Sequence, residues 1–431
     1  MWLFIKPIDV LIFREAKSFT AGEASVARSI FPPSPNPFVG ALRTQMLSEL
    51  LPKHGLTFDD FRSDDGRNGK LAEIRKMIGG VEDYGQLQIA GPLLGYSTAE
   101  KIEPFFQPPL DLLKYGDDVV ILKPVRSNCL RQFDYKDKAN LSLLWTPETA
   151  EAVEEAKLVP GEWFHNYLAD FPAVTSETRV HLKELWGSQI RFGIKLSPEQ
   201  KTAQAGMFYQ AEFTCLKEEN GQWPGFLIEI NQEIVDWINH DIEDWALTSK
   251  IIALGGEGRA AILEPIPETR LSELNRLKEG AEIRERVKRD GRFKLYLATP
   301  AIFENYGKNG WLPNFIGEND LTLDIGAVKF KLVSAAVGKA VPVGGWDLAN
   351  NRPKPLLRAV PPGSIYFFER ADSNASPLDD QTIDKLFSIF HFRNLHQTAE
   401  GNDYEPSSRS RSGFGLSFIG AWNYLEEENN V

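Results

Sequence analysis

Three stretches of the chain carry residue types suited to holding a phosphate backbone and its bases. The first is SRSRSGFGLSFIG, residues 408–420, where Arg409 and Arg411 precede Gly413 and Gly415, with Phe414 and Phe418 interleaved. Glycines let a backbone approach phosphates closely, arginines pair with them, and aromatic rings stack on bases. The second is KSFTAGEASVARSIFPPSPNPFVGALR, residues 17–43, with Lys17, Arg28, Ser34 and Arg43 around the start of a helix. A helix start offers free N–H groups and a positive dipole end, which suits an anion. The third is KLSPEQKTAQAGMFYQ, where Lys195 and Lys201 lie beside a long hairpin. LGGEGR adds Gly255, Gly256 and Arg259, but lacks the GK[ST] ending of a nucleotide phosphate loop, and Glu257 could pair with Arg259 to support the turn.

Other chemistries find less material. The six histidines (His54, His165, His181, His240, His391 and His396) form no metal-ligand motif, and His391 and His396 are five apart, so they do not share a helix face. There is no Walker loop, no G-x-S-x-G elbow and no C-x-x-C pair. Cys129 and Cys215 are the sole cysteines, too few for a disulfide framework or a zinc site of their own. No cofactor is expected.

The elements that must position these residues follow from periodicity. MWLFIKPIDVLIF reads as a strand with Pro7 marking an edge or bulge, and its Lys6, Pro7 and Asp9 are unlike a signal peptide. The run Pro32, Pro33, Pro35, Pro37 ends the following loop, and Val39, Leu42, Met46 and Leu50 predict a helix from Phe38 to about Leu51. Residues 55–185, with strands at GQLQIAGPLLG and VVILKPVR, read as an insertion. QIRFGIKL, GMFYQAEFTCL and GFLIEI predict strands, Ile234 to Leu254 a helix, and AAILEPI a closing strand. A charged helix from Glu268 to Arg289 links to a second pass: FKLYLATPAIF, LDIGAVKFKLVSAAVG and SIYFFER as strands, TIDKLFSIFHF as a helix, and SGFGLSFIGAWNYL as the last strand. Two such passes suggest two split β-α-β units.

Bulk properties bound the partners. The 431 residues are 42% hydrophobic and carry 48 basic against 60 acidic side chains, a net charge of −12. That argues against a freestanding nucleic-acid binder, but is compatible with one basic face on an acidic body that meets protein partners. No run reaches the length of a membrane span, and a cytoplasmic protein without membrane contact is expected.

In order along the chain, IKPIDVLIFREAKSF, SIFPPSPNPFVGALR, RFGIKLSPEQKTAQAGMFYQAEF, LGGEGR, FKLYLATPAIF, AVPPGSIYFFE and GFGLSFIGAW resemble the RAMP superfamily of CRISPR-associated proteins. More narrowly, they resemble the third subunits of the Cmr complex, the type III-B RNA-guided effector. The resemblance implies an α+β chain of two ferredoxin-like (RRM-like) domains, 1–265 with a large insertion at about 55–185, and 290–431 with the glycine-rich loop. It implies a noncatalytic subunit that binds the 5′ tag of the guide (CRISPR) RNA. Its expected partners are the large cyclase/polymerase-like subunit, which it docks, and a neighbouring RAMP backbone subunit. The candidate RNA-binding residues are Lys17, Arg28, Ser34, Arg43, Lys201, Gly255, Gly256, Arg259, Arg411, Gly413, Phe414 and Gly415. A metal-independent endoribonuclease maturing guide RNA is the alternative, and a protein scaffold without RNA contact a third reading; the first would need a general acid and base.

Overall fold

The computed structural model describes residues 1–15, 26–63, 68–80, 83–116, 118–126, 141–154, 157–170, 182–197, 199, 202–303, 310–317, 320–347, 352–372, 376–395 and 411–425. The first strand, β1 (Trp2–Pro7), explains much of the architecture. Strand side chains alternate between faces. Leu3 and Ile5 enter one hydrophobic cluster, with helices α1 (Asn36–Lys53), α2 (Gly69–Ile78) and α4 (Gln232–Asp241). Trp2 and Phe4 enter another, shared with the second half of the chain. A strand buried on both faces is the middle of three layers, which is why WLFI is continuously apolar.

The first sheet has seven strands in the order β4 (Val159–Pro160), β3 (Ile102–Phe106), β2 (Ile89–Ser97), β7 (Trp223–Ile230), β1, β9 (Ala260–Pro265), β8 (Lys250–Ala253). All neighbours are antiparallel. The second sheet has six strands, also antiparallel, in the order β11 (Thr322–Ile325), β12 (Val328–Ala336), β13 (Ile365–Arg370), β10 (Arg292–Leu297), β15 (Leu416–Gly420), β14 (Arg393–Asn394). Helix α7 (Asp380–Phe390) packs on it through Ile383, Leu386, Phe387 and Phe390. The chain is thus α+β. A separate hairpin, β5 (Trp186–Leu196) and β6 (Ala203–Leu216), is extended by the short parallel strand Val26–Ala27.

Three elements differ from the sequence reading. The helix expected from Ile234 to Leu254 stops at Asp241. Asp244 adopts a left-handed φ of 56°, and residues 250–253 form the edge strand β8, in which Ile251 faces solvent while Ile252 is buried. The charged linker is two helices, α5 (Ser272–Glu279) and α6 (Ala281–Asp290), broken at Gly280, where a side chain would meet the His391 ring. The stretch expected as an insertion also supplies part of the core. Ile89–Ser97 lies inside the first sheet, paired with β7 and β3. Helix α3 (Gly161–Leu168) bridges the sheets: its Phe164 ring stacks on Phe106 at 4.0 Å and meets Tyr296 at 4.7 Å and Phe418 at 5.6 Å. Sequence distance from the repeat hid these contacts, because burial on both sides is a tertiary property.

Candidate nucleic-acid interface

The predicted site residues fall into two groups. The first lies where the glycine loop meets the hairpin. Val10 and Ile12, just beyond β1, pack against Ala211 and Phe213 of β6. The loop at residues 255–259 is fastened to the same segment: the Gly256 N–H donates to Ile12 O at 2.8 Å and Leu254 N–H to Arg259 O at 2.7 Å. Arg259 donates to Glu257 Oε2 at 3.0 Å and to Asp9 Oδ2 at 3.4 Å. Arg191 of β5 grips Asp9 with both terminal nitrogens, at 3.2 and 3.3 Å. The two guanidinium groups both lie on the Phe213 ring, Arg191 at 5.2 Å and Arg259 at 4.7 Å from its centroid. The Val10 backbone N–H and then the Arg191 guanidinium hold the Asp9 carboxyl below the usual carboxylate range. Arg28 is exposed, its carbonyl accepts from the Glu15 N–H at 2.9 Å, and its neighbour Ala27 packs against the Val10, Ile12, Ala211 and Phe213 cluster.

The hairpin turns an unexpected face outward. Ile190, Phe192 and Ile194 alternate along β5, a pattern that ordinarily marks a buried face. Here they are 55%, 65% and 54% exposed. The pairings Arg191↔Ala211 and Gln189↔Phe213 put the arginine on the same face as the residues buried on Val10 and Ile12. The inner face of the hairpin is therefore made by β6, and the apolar residues of β5 form a stripe in solvent. Such an exposed apolar stripe is uncommon on the surface of a globular protein.

The second group is a joint between the halves. Gly413, Phe414 and Gly415 are buried. Gly413 has φ +96°, and a side chain there would collide with Gly91 O of β2 and approach the Pro35 ring at 3.2 Å. Thr299 Oγ1 donates to Gly413 O at 2.7 Å and accepts from the Leu416 N–H at 2.8 Å. Phe414 packs with Ile302, Val343 and Ala359. Arg43 donates to the carbonyls of Gly79 and Gly80, Arg411 to that of Gly85, and Asp83 caps the same turn through the Gly80 and Gly85 N–H groups. Burial lowers the Arg43 pKa. The helix start itself is closed: Pro35 is buried, Pro37 has no N–H, and the Phe38 N–H turns back to Pro35 O at 3.0 Å. Ser34 is half-buried next to it. The glycine-rich segment and the helix mouth do meet, but as packed partners. Lys17 and Lys201 lie outside the described residues, as does Arg409.

Sequence reasoning missed Asp9, Arg191, Phe213 and the apolar stripe. The alternation of QIRFGIKL was visible, but nothing local says which face is covered. Of the described histidines, His54 and His240 contact Asp241 at 3.0 and 3.4 Å, while His165 and His391 are buried. Among the described residues no group of side chains is arranged to hold a metal ion, and no helix is long and apolar enough to cross a membrane.

Comparison with known proteins adds the following. No curated protein matches. Among solved structures, the chain is similar to one in the cryo-EM structure of the Type III-B Cmr-beta bound to cognate target RNA and AMPPnP, state 1, at 18% identity, covering 85% of this chain and 86% of that one, with TM-score 0.43. A chain of the Type III-B Cmr-beta bound to cognate target RNA gives 17% identity, the same coverage and TM-score 0.43. One from the apo state of Type III-B Cmr-beta gives 12% identity, 62% and 97% coverage and TM-score 0.25. The family described as CRISPR-associated protein (Cas_Cmr3) matches residues 3–422, nearly the whole length of the sequence, so this chain belongs to that family, the third subunits of the type III-B Cmr complex.

Proposed function

We propose that this subunit is a noncatalytic grip: it binds the 5′ tag region of the guide RNA and docks the large cyclase/polymerase-like subunit, beside a neighbouring RAMP backbone subunit. The observation that carries the reading is the arginine pair Arg191 and Arg259 on the Phe213 ring beside the glycine loop, with the solvent-facing stripe Ile190–Phe192–Ile194 on the opposite face of the same hairpin. Guanidinium groups take phosphates, and the exposed apolar and aromatic side chains on the other side of the ribbon offer a separate surface for unstacked bases. Gly255, Gly256 and Arg259 belong to the arginine side of the hairpin, and Arg28, Lys17 and Lys201 join it on sequence grounds alone. Ser34, Arg43, Arg411, Gly413, Phe414 and Gly415 enter the proposal as residues that set the relation between the two sheets. Exposed Leu247 and Ile251, at the open edge of the first sheet, support a protein contact there.

The same reading treats each sheet as one ferredoxin-like unit, 1–265 and 290–431. Its support is the strand order. Taking β1, β2, β7 and β9 as strands one to four of a unit, the first sheet runs two-three-one-four. β12, β13, β10 and β15 repeat that order in the second.

The test uses the purified chain, alone and with its large partner, and labelled guide RNA with and without the tag across a salt series. Tag-dependent, salt-sensitive binding without cleavage products is expected. Specific cleavage that one substitution abolishes would overturn the reading in favour of a nuclease, and binding indifferent to the tag in the presence of the partner would leave a scaffold.

A further inference from the structure

The arginine pair on Phe213 is not free in the chain as it stands. Asp9 Oδ1 and Oδ2 receive both terminal nitrogens of Arg191, and Oδ2 also receives Nη1 of Arg259. Glu257 takes the other terminal nitrogen of Arg259. A carboxylate held by a guanidinium fork has the planar, two-oxygen geometry that a phosphate offers to the same fork. Asp9 is half-exposed, so this pairing is reached by water and readily exchanged. The rings and loops around it are fixed: Phe213 is buried, and Gly256 is hydrogen-bonded to Ile12.

We propose that Asp9 is a resident stand-in for an RNA phosphate, holding Arg191 and Arg259 in binding position on the Phe213 ring until the phosphodiester of a single-stranded RNA displaces it. The proposal rests on the RNA-gripping function above and names Arg191, Arg259 and Asp9 as its phosphate-exchange site. In the empty chain Asp9 and Glu257 together balance the charge of the two guanidinium groups, and Asp9 alone joins them. On binding, the phosphate takes the fork and Asp9 turns to water. The carboxylate therefore competes with the ligand, and its charge is a cost to affinity that preorganisation partly offsets.

The experiment compares wild type, Asp9→Asn and Glu257→Gln as full chains, binding labelled tag-containing guide RNA from about 200 to 50 mM salt. Asparagine keeps the shape of Asp9 and removes its charge. Removing the Asp9 charge leaves one more cationic charge uncompensated in the free chain; counted as one phosphate–cation pair it steepens the log–log salt slope by about 0.7, so the advantage of Asp9→Asn should grow about threefold over that range. Glu257→Gln should act in the same direction on Arg259. In an Arg191→Ala, Arg259→Ala background, Asp9→Asn should give no gain. Weaker binding by Asp9→Asn, or an unchanged salt slope, would overturn the exchange role while leaving RNA gripping in place. Absence of tag-dependent binding in wild type and variants alike would overturn both. Asp9 is outside the core, and matched thermal unfolding of the variants identifies a change in binding that comes from misfolding.

Discussion

Gly413→Ala tests whether the glycine-rich segment is a packed joint. Two costs add at this position. A left-handed backbone costs an L-residue about 1–2 kcal/mol, and Gly413 has φ +96°. The new Cβ would also overlap Gly91 O, a backbone atom of a central strand, and press on the Pro35 ring. Moving packed backbone to admit one methyl group costs about 1–3 kcal/mol. The sum is about 3 kcal/mol, roughly a hundredfold in the unfolding equilibrium. Gly326 is the control: it has φ +61° and nothing within 4 Å of the added Cβ, so Gly326→Ala should cost only the backbone share, about 1 kcal/mol. Urea unfolding of the two full-length variants, followed by tryptophan fluorescence, measures both; Trp422, buried beside Phe293 and Phe368 at the end of β15, reports on the second sheet. If Gly413→Ala is no less stable than Gly326→Ala, the halves do not meet tightly at Gly91, and the reasoning about the joint fails.

His391 gives a pH signature. Its Nδ1 accepts from the Ile419 N–H at 3.2 Å and its Nε2 faces Leu277 O at 2.9 Å, which fixes the neutral ring with the proton on Nε2. Burial pushes its pKa down to about 4, so the unfolded chain, near 6.5, takes up the proton first. Its contribution is whole above pH 6.5 and is lost as pH falls through 4; from pH 7 to 5 the loss is about 2 kcal/mol, and a His391→Leu chain should lack that component of the urea-midpoint slope. Glu273 works in the opposite sense: burial against Gly161 and Pro104 raises its carboxyl to about 7, so stability falls as pH rises from 4.5 to 7. Glu273→Gln should therefore be the more stable chain at pH 8, by about 1 kcal/mol after allowing for solvent screening, and equal stability there would refute the assignment. Phe192→Ser should leave stability within about 0.5 kcal/mol of wild type, as expected for an exposed side chain. It should weaken binding of tag RNA by about 1–3 kcal/mol, the range for loss of one base–aromatic stack; isothermal titration measures the affinity and urea unfolding the unchanged stability.

Local pattern carried the sequence reading far. Most of the strands, the helix after the proline run and the α+β class follow from periodicities of 2 and 3.6 residues. These are short-range properties: an apolar residue every second or every third to fourth position states what the backbone does there. Sequence also located the segments from which the candidate face is built, through LGGEGR and the residues around the long hairpin.

Which surface each pattern meets was decided by the tertiary structure. QIRFGIKL reads as a strand in either case, but only the packing of Ala211 and Phe213 on Val10 and Ile12 leaves Ile190, Phe192 and Ile194 outside. SGFGL suits phosphate approach and close packing equally well, because both need a missing Cβ; the proximity of Gly91 and Pro35 determines its use. Arginines show the same division. Arg43 and Arg411 serve carbonyls of one turn, whereas Arg191 and Arg259 meet at Asp9, which is 182 and 250 residues away in sequence. A side chain's partner depends on chain return, and local periodicity holds no information about where the chain returns.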